Sequence, residues 1–113
     1  MLPKHSRLTK QQIEKHLIKA RRLKTSRFLV LYTRIPQLRE PQISFTVSKK
    51  VAPKAVLRNK LRRRGYDAVK SLIPSLSLGV LVLISYTKAD STASIQELRE
   101  EVLEALKSAK LLQ

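Results

Sequence analysis

Sixteen residues restrict this chain more than any others. From Lys49 to Arg64 there are eight basic side chains and no acidic one. Pro53 suits the first turn of a helix, where its missing N–H is not needed. From Pro53 the sequence predicts helix to about Leu72. At about 100° per residue, Leu57, Leu61, Gly65, Ala68 and Leu72 fall on one stripe, and that stripe requires a core. Asn59, Lys60, Arg62, Arg63 and Arg64 occupy the rest of the circumference. Arg58 stands at the stripe's edge, where its stem can pack while its head reaches out. Arg58 and Arg62 lie one turn apart, a like-charge spacing that costs about 0.2–0.5 kcal/mol. A surface built for solubility mixes both signs; this one does not, and a polyanion is the partner that would relieve it.

The wider charge distribution agrees. The 113 residues carry a net charge of +16. Residues 1–39 hold eleven Lys or Arg against the single acid Glu14, whereas residues 88–113 hold four against five acids. The cationic face is therefore expected from the first two thirds, with the C-terminal segment as structural cover. A small domain this basic points to nucleic acid first and an anionic membrane second. With 42% apolar residues the chain can build a core, and one domain over residues 1–113 is expected. The absence of cysteine excludes disulfides and thiolate metal sites and fits a cytoplasmic protein. No apolar run has signal-peptide length, and the longest, Val80 to Ile84, is far too short to span a bilayer.

Taken in order, residues 1–8 read as a basic arm. Thr9 and Gln12 form a capping box, and Ile13, Leu17, Ile18 and Ala20 give an apolar face to a helix over about 10–21. Arg27 to Arg34 reads as a strand with Phe28, Val30 and Tyr32 on one face and Leu29, Leu31 and Thr33 on the other. Ile43, Phe45 and Val47 alternate with Ser44, Thr46 and Ser48 in a second strand. The short polar link between them predicts an antiparallel hairpin. The basic helix follows, then a loop over 74–79. Val80 to Tyr86 is a third strand, expected at the centre of the sheet. Ser94 and Glu97 make another capping box, opening a last helix with Ile95, Leu98, Val102, Ala105, Leu106 and Ala109 on its apolar face. The order is α-β-β-α-β-α.

No catalytic constellation stands out. His5 and His16 are isolated. Glu97, Glu100, Glu101 and Glu104 read as the outer face of the last helix rather than a metal site. With only two glycines, Gly65 and Gly79, there is no phosphate-cradling loop. What the chain offers is cations, with a few flat or amide groups among them. Asn59 could bond a base edge or ribose, or instead its own backbone. Phe28 and Tyr32 could stack an unpaired base or pack in the core; core packing is the stronger reading for Phe28, and for Tyr32 the two stand level.

Val47-Ser-Lys-Lys-Val, followed by Ala55-Val-Leu-Arg58-Asn59-Lys60-Leu-Arg62-Arg63, resembles the signature of the bacterial ribonuclease P protein subunit. Arg7-Leu8, Phe28 to Tyr32, the apolar third strand and the final helix ending in Lys110-Leu111-Leu112 fall in the same order. The resemblance implies an α+β two-layer sandwich of the ribosomal protein S5 domain 2-like kind, with a left-handed β-α-β crossover; the general rule for parallel connections would give a right-handed one. It further implies a non-catalytic subunit bound to a catalytic RNA, which with Mg²⁺ removes the 5′ leader of precursor tRNA. By position the RNA-binding candidates are Arg58, Asn59, Lys60, Arg62 and Arg63, with Lys49, Lys50 and Lys54. The precursor-leader cleft would hold Tyr32, Phe28, Ile13 and Leu17. Ile13 and Leu17 stand where the family usually has aromatics, and Ala20 where Gly is common. Lys60 replaces an Arg and binds phosphate without the planar fork. No metal ligand, DNA, membrane or protein oligomer is expected. A structural ribosomal protein of similar fold and a DNA-binding helix module are the alternatives. The latter fits less well, because the basic helix is flanked by strands rather than by a short-turn partner helix.

Overall fold

A computed structural model describes residues 11, 15, 19–35 and 40–113 of the chain. The expected arm, the capping box at Thr9, and Ile13 and Leu17 lie outside those residues. Gln11 and Lys15 are helical and exposed, as the first-helix reading requires.

Four strands form one sheet: β1 (Arg21–Lys24), β2 (Phe28–Arg34), β3 (Gln42–Thr46) and β4 (Val80–Tyr86), in the spatial order β1-β2-β4-β3. Helix α1 spans Ala55–Val69 and α2 spans Ile95–Ser108. The α1 helix stops three residues short of expectation, and a 3-10 turn over Ile73–Ser75 follows, with Pro74 inside it.

Two expectations are corrected. Arg21 does not end a helix; it opens β1, which pairs antiparallel with β2 through a tight turn. The Thr25 N–H closes that turn on the Phe28 carbonyl at 2.8 Å. With Leu23 as its one apolar residue, β1 carries no alternating signal, and the open edge of β2 supplies the reason to extend. Nor do β2 and β3 form a hairpin. The β4 strand lies between them, antiparallel to β2 and parallel to β3. Five of its seven residues are buried consecutively from Val80 to Ile84, so it takes the centre, where both faces are covered. Parallel strands cannot be joined by a turn; α1 is the crossover between β3 and β4.

One face of the sheet carries Phe28, Val30, Ile43, Phe45, Val82, Ile84 and Tyr86. These pack on Leu61, Ala68 and Val69 of α1 and on Leu98, Val102, Ala105 and Leu106 of α2. Phe28 meets Tyr86 edge-on at 4.9 Å between ring centroids, and Phe45 meets Tyr66 at 5.3 Å. Gly65 permits this contact: a Cβ there would stand 2.6 Å from the Phe45 ring. The opposite face carries Leu29, Leu31 and Thr33 of β2, Leu81, Leu83 and Ser85 of β4, and Gln42, Ser44 and Thr46 of β3, set side by side by the register.

Candidate nucleic-acid interface

The leucine stripe turns α1 so that its cations face out. Leu61 is 0% exposed, Gly65 and Ala68 are buried, and Leu57 is half-buried. Tyr66 and Val69, outside the expected stripe, are buried as well. The Tyr66 hydroxyl lies 3.3 Å from the Ser44 hydroxyl and accepts the Phe45 backbone N–H at 3.2 Å, sealing the edge of β3. An aromatic among arginines gave no sign of that task.

Outward from the stripe stand Asn59, Lys60 and Arg63, all exposed, with Lys49, Lys50 and Lys54 exposed in the segment just before the helix. Arg58, Arg62 and Arg64 are half-buried. None of these cations forms an ion pair with an acid among the described residues. The single acid of α1, Asp67, lies 4.0 Å from Lys70 beyond the helix's end. The first turn of α1 holds no acid, and Lys54 at its N-cap accepts no backbone bond through its side chain. The positive end of the helix dipole therefore adds to the lysines around it.

The geometry refines individual residues. Arg58 does not extend outward: its guanidinium folds back to donate to the carbonyls of Ala52 at 3.0 Å and Pro53 at 2.8 Å. It thereby fastens the loop bearing Lys54 to the helix. The Asn59 side-chain oxygen accepts from Arg62 one turn on, rather than from the backbone. Arg64 reaches the Ala93 carbonyl ahead of α2, and its Nε is buried without a partner.

Three acids among the described residues are engaged elsewhere. Arg27, at the β1–β2 turn, lies 3.0 Å from Asp90, 3.5 Å from Glu97 and 2.6 Å from Glu101. The Asp90 hydrogen bond, followed by that of Glu101, raises the Arg27 pKa. Bonds from the Thr92 hydroxyl and from Arg27 hold the Asp90 carboxyl far below the usual carboxylate range. Glu97 and Glu101 thus do not merely face solvent, which corrects the outer-face reading of that helix; they brace α2 against the turn. Among the described residues no group of three acids or histidines stands ready for a metal ion. Asp90, Glu97 and Glu101 converge on the Arg27 guanidinium.

The cleft candidates fare differently from the helix. Phe28 is 0% exposed between Phe45 and Tyr86, so it belongs to the core and cannot stack a base. Tyr32 shares its face but sits half-buried at the core's margin, opposite Arg21 on β1 and Val82 on β4. Sequence reasoning overlooked Arg21, Arg22 and Lys24, which are exposed along β1. Their signal was present in the basic excess of residues 1–39 but carried no periodicity.

An exposed cationic helix, paired with no acid among the described residues and fixed to an α+β scaffold, is the kind of surface a polyanion-binding protein presents. Comparison with known proteins narrows the class. The family model for ribonuclease P matches residues 2–110, and the chain belongs to that family. It is 31% identical over 71 residues to the ribonuclease P protein component of Rippkaea orientalis, a match covering 63% of this chain and 56% of that protein. The corresponding protein of a Pseudanabaena species is 32% identical over 71 residues, covering 61% of its length. The aligned region thus spans little more than half of these relatives. Among solved structures, the Staphylococcus aureus RNase P protein superposes with a TM-score of 0.79 at 20% identity, covering 96% of this chain and 98% of that one. The Thermotoga maritima RNase P protein gives 0.75 at 22% identity, covering 90% and 96%. These likenesses establish the fold.

Proposed function

We propose that this chain is the protein subunit of ribonuclease P. It binds the catalytic RNA and the 5′ leader of precursor tRNA and assists Mg²⁺-dependent endonucleolytic maturation of the tRNA 5′ end. The observation that carries this reading is α1 itself: Leu61 fully buried on one side, Lys60 and Arg63 exposed on the other, and, among the described residues, no acid paired with its cations. Asn59, Lys60, Arg62 and Arg63 contact the RNA, with Lys49, Lys50 and Lys54 beside them, and Arg58 holds their loop in place. Each phosphate so neutralised releases a counterion, which makes assembly steeply salt-dependent. The RNA performs the cleavage and holds the Mg²⁺. The chain acts in the cytoplasm as a single RNA-binding unit, without DNA, membrane or a second protein copy as partner.

The test is reconstitution with the catalytic RNA. Added protein should lower the Mg²⁺ needed for precursor cleavage and tighten binding of precursor over mature tRNA. If both stay unchanged, the reading is wrong.

A further inference from the structure

We propose that Val56 is a further RNA-contacting residue, and an apolar one: it packs on ribose carbons of the catalytic RNA, among the cations that hold the phosphates. The inference rests on the reading above in taking that RNA as the partner, and it adds a contact that carries no charge.

Among the described residues only two large apolar side chains are left exposed, Val56 at 81% and Leu78 at 65%. Leu78 lines a small cavity with Ile73, Pro74 and Leu76; Val56 has no such company. A lone exposed valine is ordinary on a protein surface, but this one occupies the middle of a charged row. At about 100° per residue, Asn59, Lys60 and Arg63 lie within about 60° of it around the helix axis, and Leu61 about 140° away. All three of those polar side chains are exposed. Val56 belongs to the first turn of α1, and a helical side chain leans toward the N-terminus. It therefore stands between the helix cations and Lys49, Lys50 and Lys54 of the preceding segment, which are exposed too.

Folding gives no reason for valine here. Alanine is the better helix former, a β-branch loses freedom in a helix, and at this exposure the side chain packs on little of its own chain. Binding gives a reason. A ribose–phosphate backbone presents apolar carbons between its charges, and the shallow groove of an RNA helix displays riboses with their 2′-hydroxyls. Cations settled on phosphates bring a side chain in their midst against those sugars. Asn59 fits the same surface: its side-chain oxygen is taken by Arg62, which leaves the amide N–H groups to donate to a 2′-hydroxyl or a base edge. A surface made for phosphate alone would gain from another cation at position 56; valine instead excludes water from a sugar.

The test compares the full parent chain with Val56→Ala and Val56→Thr. Each is titrated with the catalytic RNA at several salt concentrations and, separately, with inorganic polyphosphate, which has no sugar. Losing two buried methyl-sized groups at about fourfold each should weaken RNA affinity by roughly tenfold in Val56→Ala. Threonine keeps the shape of valine but places a hydroxyl where a methyl was, so Val56→Thr should also lose affinity. The loss should be equal at every salt concentration, with the slope of log affinity against log salt unchanged, because no counterion is involved. Polyphosphate binding and the thermal unfolding midpoint should not fall. The proposal is overturned if Val56→Ala binds the RNA like the parent, if the salt slope changes, or if polyphosphate binding weakens equally. It is equally overturned if the midpoint drops, which would make Val56 a residue of the fold. A parent protein that fails to assemble with the catalytic RNA would sink the broader function, and this contact with it.

Discussion

Glu101 grips Arg27 twice. One carboxylate oxygen lies 2.6 Å from the guanidinium and the other accepts the Arg27 backbone N–H at 2.7 Å. The same second oxygen takes the Thr25 hydroxyl. With the Glu101 side chain 12% exposed and that of Arg27 20% exposed, this pair is shielded from water more than a surface ion pair. Glu101→Gln keeps the shape but removes the charge, and Glu101→Ala removes both. The alanine variant should lose about 1–3 kcal/mol in urea denaturation, the glutamine variant less. Equal losses would mean that charge, not packing, fastens α2 to the turn.

Asp90 sets an acid limb. Its folded-state pKa is held down, chiefly by the Thr92 hydroxyl and then by Arg27. A depressed carboxyl contributes stability that is complete above its unfolded value, near 3.9. That contribution fades as pH falls from there toward the lower folded value. Denaturation midpoints measured from pH 6 to pH 2 should therefore decline less steeply in Asp90→Asn than in the parent.

Gly65 reports on the seam between α1 and β3. Alanine is the better helix former by about 1 kcal/mol, so Gly65→Ala would stabilise an isolated helix. Here the added methyl meets the Phe45 ring, and overpacking costs about 1–3 kcal/mol. The melting temperature should drop by several degrees. An increase would show that the Phe45 ring moves aside freely.

Two arginines of α1 should separate binding from folding. Arg63 is exposed, and Arg63→Gln should flatten the salt dependence of RNA assembly by roughly one counterion without changing the denaturation midpoint. Arg58→Ala removes two hydrogen bonds to the loop and should also cost about 1–2 kcal/mol of stability. If the two variants behave alike in both assays, Arg58 is not the fastening for Lys54.

Tyr86 joins β4 to α1 through a 2.8 Å bond from its hydroxyl to the Leu61 carbonyl. Burial pushes its pKa up to about 12. Because the folded state favours the neutral phenol, stability should fall as pH rises above the unfolded value, near 10. In Tyr86→Phe that alkaline decline should shrink, while the protein loses about 1 kcal/mol at neutral pH.

The helix was legible because its leucine spacing and its charge point to one orientation. Leu61 and Ala68 went inward and Lys60 and Arg63 outward as the periodicity required. The capping box of α2 was equally legible: Ser94 and Glu97 exchange bonds of 3.0 and 3.2 Å. The central place of β4 was legible in its unbroken apolar run, but which strand flanks which was not. The short link between β2 and β3 suggested a hairpin, whereas β4 takes the place between them. Arg58 could not be read because its partners are backbone carbonyls, which every sequence offers alike. Phe28 and Tyr32 looked equivalent on alternation; their depths differ because Phe28 faces Tyr86 and Tyr32 faces the rim.

The parallel alignment of β3 with β4 carries one more implication. These strands cannot zip together until the span linking them has folded down, and that span is the most self-repelling part of the molecule. Completion of the sheet therefore waits on the settling of its least willing segment. Any anion that calms α1 shortens that wait, so an RNA bound to this helix, as proposed, would also hasten the birth of the surface that holds it.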